Sequence, residues 1–330
     1  MREENDSRQH SVNATACSIS CKATRIRAVG DPTDMLVDAQ YQKNVGYLVA
    51  EFWDDQFQRY DAEPVGTVFF VEQTLGDGFG CVHYAVTCRH VLEGISHNST
   101  CRDIFLRINN LHGLAEDIPL RLADWVLSTH TDVAVARINL PPKFPFWACS
   151  MERSLDFSLL PGHGVFFVGL FSSLPGFKSV QAIVRSGTIA RLSTRVPIKL
   201  NALVEVDAHL VELRSWGGES GSPVFVYDEH VRIPYIGDST SASLRRNDLR
   251  ASDVMPSLLG ILHGHFEIPA AVKREDVEIG GLAVNSGIGV VIPASEIKMT
   301  LMDERLVEDR NRELQDRVAR QVKLPKPDAG

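Results

Sequence analysis

The sequence lacks the long apolar runs and basic stretches that mark membrane and nucleic-acid-binding proteins. No segment approaches the roughly 18 uninterrupted apolar residues that a membrane-spanning helix requires. The polar N-terminus carries acidic residues and no apolar run of about 7–15 residues, so no secretory signal is predicted. The formal net charge of −8 argues against nucleic acid as the main partner, because phosphate binding requires a basic face. We expect a cytoplasmic protein without a membrane or nucleic-acid partner, and nothing in the sequence specifies an oligomeric state.

Cysteine is also scarce, at 6 of the 330 residues. The cysteines are Cys17, Cys21, Cys81, Cys88, Cys101 and Cys149. Without a secretory signal, we expect free thiols rather than disulfides. No second ligand pair at zinc-like spacing accompanies Cys17 and Cys21, so no metal site is expected there.

Short β-like segments are the abundant feature of this chain. Brief runs rich in Val, Ile, Phe and Tyr, many of them separated by turn residues, extend over most of the sequence. The first group comprises residues 46–52, 66–71, 82–88, 104–108 and 132–138, and the second comprises 164–170, 181–189, 203–206, 223–227, 258–262 and 289–293. Residues 75–80 (LGDGFG) are typical of a hairpin loop. The pattern predicts an all-β chain of about a dozen strands, built as a sandwich or as barrels.

Pro141, Pro142 and Pro145 separate the two groups and fit a connector between two lobes. We therefore divide the chain into a flexible N-terminal tail (1–40), a first β-lobe (41–145), a second β-lobe (146–294) and a C-terminal charged helix and tail (295–330). Residues 234–256 are polar and are predicted to form a long surface loop. The apolar positions of the C-terminal helix are Ile297, Leu301, Leu306, Leu314 and Val318.

One segment, residues 217–223 (GGESGSP), suits an exposed nucleophile. Serine needs a base to remove its proton, and backbone N–H groups must receive the negative oxygen that forms when a carbonyl is attacked. The glycines around Ser220 allow the sharp bend that directs such N–H groups to one point. Taken alone, the segment is more typical of a simple turn between strands.

His90 and Asp132 are the partners that such a serine requires. Histidine is the side chain best suited to proton transfer near neutral pH, and His90 ends a β-like run. Asp132 opens the run 132–138, where a carboxylate could orient the imidazole. Each residue alone would more often have only a structural role at a strand end.

Together these segments resemble the trypsin-like serine peptidases of the chymotrypsin fold. The chain order His90, Asp132, Ser220 is that family's order. AVTCRHV (85–91), TDVAVARI (131–138) and GESGSP (218–223) are similar to its three catalytic motifs, and GTVFFV (66–71) to its strand before the histidine. SGTIARL (186–192) and GIGVVIP (287–293) resemble strands of the bacterial HtrA/Deg-like branch, although no PDZ domain is recognisable.

The resemblance implies two six-stranded antiparallel β-barrels followed by the C-terminal helix. It implies a serine endopeptidase acting on protein or peptide substrates, with Ser220 as nucleophile, His90 as general base and acid, and Asp132 as the orienting carboxylate. The N–H groups of Gly218 and Ser220 would form the oxyanion hole, and no metal or organic cofactor is implied.

The sequence departs from the family at two positions near the nucleophile. Glu219 stands where the family has Asp or Asn, and Ser222 replaces a glycine and is a rival nucleophile. No segment resembles a zymogen activation site, so pairing of a new amino terminus with Glu219 is not expected. The family's disulfide beside the histidine has no match.

Four residues form a candidate substrate pocket. By analogy, Arg214 and residues 260–266 (GILHGHF) line it, with His263, Gly264 and His265 at its wall. Arg214 and the histidines would suit an acidic side chain before the cleaved bond, unless Arg214 faces solvent and the histidines merely end the strand.

Two other functions compete with the endopeptidase. The departures at Glu219 and Ser222 leave room for a non-catalytic, protease-like binding module. An α/β-hydrolase esterase requires a strand–turn–helix around its serine, whereas the run 223–227 after Ser220 is strand-like.

Overall fold

The computed structural model describes residues 37–76, 78–152, 159–171, 178–200, 203–213, 218–226, 256–274 and 277–322. These residues form two β-lobes followed by a C-terminal pair of helices. The predicted tail and the predicted loop 234–256 lie outside the described residues, except for residues 37–40 and 256. None of the helices in the described ranges is both long and apolar enough to cross a bilayer.

The first lobe is an eight-stranded sheet with the order β5-β4-β1-β2-β3-β7-β6, and β8 pairs with β2. The strands are β1 Val45–Asp54, β2 Arg59–Thr74, β3 Cys81–Thr87, β4 Cys101–Asn109, β5 Ala115–Leu120, β6 Trp125–Leu127, β7 Ala134–Ile138 and β8 Cys149–Ser150. All pairs are antiparallel except β2–β8. The short helix α1 Ala39–Gln42 precedes β1, and the helix α2 Arg89–His97 and a 3₁₀ turn at Leu122–Asp124 lie between strands.

The second lobe is a closed barrel of six antiparallel strands in the order β10-β11-β14-β13-β12-β9. The strands are β9 Gly164–Leu170, β10 Ala182–Lys199, β11 Leu203–Glu212, β12 Pro223–Val226, β13 Ser257–Arg274 and β14 Val277–Pro293. Barrel closure leaves no unpaired edge along this path, which removes the usual aggregation hazard of an open sheet.

The apolar composition of β9 and β12 follows from burial on both faces. Val165 and Phe167 point into the barrel core, whereas Phe166 and Val168 belong to the core shared with the first lobe. Successive side chains of a strand point to opposite faces, so a strand between two cores must be apolar at every position. The lobes therefore pack through a common hydrophobic seam.

The C-terminal segment forms two helices rather than the single predicted one, α3 Ala294–Leu301 and α4 Glu304–Val322. Ile297, Leu301 and Leu306 are buried, as their spacing predicts, while Val318 is exposed. The α4 helix is also held by polar contacts. Arg310 is buried and donates hydrogen bonds to the Tyr84 hydroxyl (3.1 Å) and the Leu301 carbonyl (2.8 Å).

The predicted all-β class, with two antiparallel β-lobes and a C-terminal helix, is confirmed, although only the second of the two predicted barrels is a closed barrel. The expected six strands are found in the second barrel, but the first lobe has eight. The strands that the pattern missed are β5, β6 and β8. β6 and β8 span three and two residues, too few for a pattern, and β5 is polar and has no buried position.

Candidate active site

Asp132 is the fully buried centre of the site. It lies in the loop between β6 and β7, two residues before β7 begins, and has no exposed surface. Its Oδ1 accepts the backbone N–H of His90 at 2.8 Å, and its Oδ2 contacts His90 Nδ1 at 2.7 Å. A buried carboxylate at a helix N-terminus is stabilised by such N–H donors and by the helix dipole. The pair therefore fixes both the backbone and the ring of His90.

His90 lies on a helix and not at the end of a strand, which corrects the expectation from the sequence. Strand β3 ends at Thr87, and His90 is the second residue of α2. The helix forms because Val91, Leu92 and Ile95 repeat with helical spacing and are all buried. The strand-like run 82–88 leads directly into this helix, so the sequence pattern did not show where the strand ends and the helix begins.

Arg89 connects this helix to the loop that carries Asp132. Its guanidinium donates to the Ser128 carbonyl at 2.7 Å and pairs with Glu93 at 2.7 Å. The Ser128 N–H in turn donates to the Val133 carbonyl at 2.8 Å, which closes the loop around Asp132. The contact with Ser128 could not be predicted from the sequence, because Ser128 lies 39 residues further along the chain.

His263 belongs to the same cluster. Its Nδ1 lies 2.5 Å from Asp132 Oδ2, and its ring packs edge-on against that of His90, with centroids 4.9 Å apart. Asp132 Oδ2 is thus shared by two imidazoles. The sequence predicts that His263 lies at the wall of a substrate pocket. In the structure, its Nδ1 contacts Asp132.

These contacts determine the protonation of the groups around Asp132. Burial alone would raise the pKa of Asp132, but the hydrogen bonds from His263 and His90 outweigh it and hold the pKa well below its usual range. Burial raises the pKa of the neighbouring Cys88 thiol well above its usual range, and the Asp132 charge adds to this effect. Asp132 is therefore a carboxylate at neutral pH, while Cys88 remains a thiol.

Ser220 lies on a tight loop that is hydrogen-bonded to both lobes. Its carbonyl accepts from Thr67 N–H of β2 at 2.9 Å, and Gly221 N–H donates to the Leu262 carbonyl of β13 at 2.9 Å. Gly218 and Gly221 have φ values of +91° and +92°, in the region that favours glycine. In the described part of the chain, neither Gly218 N–H nor Ser220 N–H donates a hydrogen bond.

His90 and Ser220 line one open cleft of about 370 Å³, together with Gly218 and residues of β1, β2 and α2. The Ser220 hydroxyl donates to the His263 carbonyl at 2.9 Å rather than to His90. His90 is thus in contact with Asp132 and lines the same cleft as Ser220, whose hydroxyl is turned toward β13.

Glu219 and Ser222, where the sequence departs from the family pattern, both point inward. The Glu219 carboxylate is buried and lies 3.4 Å from the guanidinium of Arg185 on β10. Arg185 thus supplies a positive charge beside this carboxylate without any new amino terminus. The Ser222 hydroxyl is buried and donates to the Glu219 carbonyl at 2.6 Å, so it does not face the cleft.

The remaining predicted pocket residues lie near this loop or outside the described ranges. Arg214 falls within residues 214–217, which are not described. Gly264 and His265 lie on β13 and are partly exposed. After Ser220 the chain enters β12 and not a helix, so the strand–turn–helix of an α/β-hydrolase is absent at this described segment.

Comparison with known proteins finds similar solved structures at low sequence identity. No family model and no curated protein matches the chain. Among solved structures, it is similar to the MamO protease domain from Magnetospirillum magneticum, with 17% identity and a TM-score of 0.45 over 80% of this chain and 99% of that one. It is also similar to the active form of the Rv3671c protease from M. tuberculosis, with 16% identity and a TM-score of 0.39 over 80% of this chain and 81% of that one. Similarity at this level carries no functional conclusion.

Proposed function

We propose that this protein is a serine endopeptidase that hydrolyses peptide bonds of protein or peptide substrates through an acyl-enzyme on Ser220. The observation that carries the proposal is the buried Asp132, which binds both the backbone and Nδ1 of His90 beside a cleft that His90 shares with Ser220. Because Nδ1 is held by the carboxylate, the other ring nitrogen, Nε2, is left to accept a proton.

In the proposed first step, the Ser220 hydroxyl leaves the His263 carbonyl and turns to His90. Its proton passes to His90 Nε2 while Oγ attacks the substrate carbonyl carbon. His90 then donates this proton to the leaving nitrogen as the C–N bond breaks, and a water molecule hydrolyses the resulting ester by the same route. Asp132 keeps the ring in place and stabilises its cationic form.

The N–H groups of Gly218 and Ser220 are proposed to bind the negative oxygen of the tetrahedral intermediate. The support is that neither group donates elsewhere in the described part of the chain, and that positive φ at Gly218 bends the loop. Loss of one such donor typically costs about 10²–10³ in rate.

A fluorophosphonate probe tests the nucleophile directly. We expect labelling of the wild type and of Ser222→Ala, and none of Ser220→Ala, because Ser222 is buried. With a cleaved peptide from library profiling, Ser220→Ala should lower kcat by about 10⁶ and Asp132→Asn by about 10⁴. Thermal unfolding shows whether each variant is folded.

A non-catalytic binding module is the second candidate function. It is favoured by the observation that the Ser220 hydroxyl donates to the His263 carbonyl and not to the His90 ring. A folded wild type that the probe leaves unlabelled, but that binds peptides, would replace the endopeptidase proposal with this one.

The free thiols of Cys88, Cys101 and Cys149 support a cytoplasmic site of action for either function.

A further inference from the structure

A second group of reactive side chains lies on the β2–β3 hairpin, in the first lobe. Glu72 of β2 is directly opposite His83 of β3, and Cys81 is two residues before His83 on the same face. The side chains of Glu72 and His83 are each 35% exposed, and Cys81 is partly buried. The candidate active site does not use any of the three.

The three side chains converge on one point. Cys81 Sγ lies 3.4 Å from Glu72 Oε2 and 3.6 Å from His83 Nε2, and those oxygen and nitrogen atoms are 3.7 Å apart. A tetrahedral zinc ion with bonds of about 2.0–2.3 Å holds its ligand atoms about 3.3–3.6 Å apart. The cluster therefore has the size of one face of a zinc coordination sphere.

The arrangement does not fit a cysteine nucleophile with its own base. In such a relay the carboxylate binds one ring nitrogen and the nucleophile the other. Here both Cys81 and Glu72 approach the same atom, His83 Nε2. Convergence of a thiol, an imidazole nitrogen and a carboxylate on one point is the geometry of a metal site.

Neighbouring residues hold the ring of His83 and the backbone of Glu72 in place. The His83 ring packs edge-on against Phe146, with centroids 5.0 Å apart. The Glu72 carbonyl accepts the N–H of Met151 at 3.0 Å, next to the parallel β2–β8 pair. Ligands held in position before the ion arrives lose less conformational freedom on binding.

A second group of potential metal ligands within the described residues consists of Cys88, His90 and Asp132. His90 and Asp132 are already bound to each other there, and the Cys88 thiol is fully buried and donates to the Leu262 carbonyl at 3.3 Å. That group belongs to the candidate active site.

We propose that Glu72, Cys81 and His83 form a Zn²⁺ site with three protein ligands and an open fourth position for water. Cysteine, histidine and carboxylate are the ligands that zinc prefers, and three of them with one open position form an accessible site. Bound zinc links β2 to β3 next to the hairpin loop, which α4 also contacts through Arg317, a donor to the Phe79 carbonyl at 2.7 Å.

The experiment titrates chelator-treated full-length protein with Zn²⁺ and, in parallel, with Co²⁺. Cys17 and Cys21 are replaced by serine in every sample, so that the N-terminal thiols do not contribute. The test variants are Cys81→Ser, His83→Gln and Glu72→Gln. The controls are Cys101→Ser, which removes another partly buried thiol, and His90→Gln, which removes a possible ligand in the candidate active site.

We expect one ion per chain and a thiolate-to-cobalt charge-transfer band in the near ultraviolet. Cys81→Ser should abolish the band, and each test variant should weaken zinc binding by at least about tenfold, since even outer partners of ligands cost this much. Cys101→Ser and His90→Gln should leave the cobalt band and the zinc affinity unchanged. Zinc should raise the unfolding temperature of the parent and of the two control variants, but not of the three test variants. Absence of zinc binding by folded parent protein, or a cobalt band that persists in Cys81→Ser, would overturn the proposal.

Discussion

Gly221 lies where the backbone of the loop that carries Ser220 closely approaches β2. Its φ is +92°, and a Cβ atom placed on it would be 2.0 Å from the Thr67 carbonyl oxygen. Both the backbone conformation and the available space therefore require glycine here. The same contact places Ser220 beside the first lobe, because Thr67 N–H binds the Ser220 carbonyl.

We predict that Gly221→Ala destabilises the protein by several kcal/mol, roughly 2–4, because the loop must leave β2 to relieve the clash. Gly264→Ala is the matched control, since a Cβ there meets no atom within 4 Å. Urea unfolding of both variants measures the effect. Equal stability of the two would show that the loop is not constrained in this way.

His263 is a second donor to the buried Asp132 carboxylate, so its removal should lower the stability of the protein. We predict that His263→Leu lowers the free energy of unfolding near pH 7 by roughly 1.5–3 kcal/mol, the cost of a hydrogen bond to a charged group. His263→Asn, which keeps an N–H donor, should lose less.

The effect of His263→Leu should depend on pH. The pKa of Asp132 is lowered in the folded state, so its contribution is present above the unfolded value of about 3.9 and is lost as the pH falls. The difference between His263→Leu and wild type should therefore shrink in urea unfolding below about pH 4. A difference that is constant with pH would indicate a packing role alone.

At the scale of single elements, the pairing of β10 with β11 is irregular beside the buried His209. The register shifts between Arg191 and Thr194, and Ser193 there has a φ of +43°. The Ser193 N–H donates to Nδ1 of the buried His209 at 3.1 Å. This contact requires an unprotonated Nδ1.

We predict that mild acid destabilises the barrel through His209. Burial lowers the pKa of His209 below its ordinary value. The unfolded chain therefore binds the proton first as the pH falls through about 6.5, and stability decreases toward the folded pKa by about 1.4 kcal/mol for each unit of difference. His209→Asn, whose Oδ1 can replace Nδ1 as acceptor, should show a flatter profile between about pH 7.5 and 5. Parallel profiles for the two proteins would contradict this origin.

At the scale of the whole molecule, an aromatic cluster joins the lobes. Tyr41, which precedes β1, makes edge contacts with Phe166 of β9 and Phe225 of β12, and the two phenylalanines stack at 5.2 Å. Trp147 packs on Tyr41 at 4.8 Å. We therefore expect the lobes to unfold as one unit.

We predict that Phe166→Ala destabilises the protein by about 3–5 kcal/mol, the usual cost of removing a fully buried phenylalanine. Phe57→Ala, at a phenylalanine that is 59% exposed, should change stability by less than about 0.5 kcal/mol. Tryptophan fluorescence and circular dichroism should report one coincident transition for each protein. Two separated transitions would show that the lobes fold independently.

Much of this architecture could be predicted from local patterns. The apolar runs in the sequence correctly predicted eleven of the strands, because a strand that is buried on one or both faces is rich in apolar residues. The helix of His90 was missed because its apolar residues follow a strand without a break. The short strands β6 and β8 were missed because two or three residues carry no period.

The sequence by itself determined the all-β character, the two groups of strands and the order of His90, Asp132 and Ser220, since these depend on residue type and on neighbours along the chain. Only the tertiary structure decided that His263 shares Asp132 with His90, that Arg185 meets Glu219 and that Glu72 joins Cys81 and His83. Hydrogen bonds and ion pairs depend on distances of a few ångströms, and for residues far apart in the chain those distances are set by strand register and barrel closure.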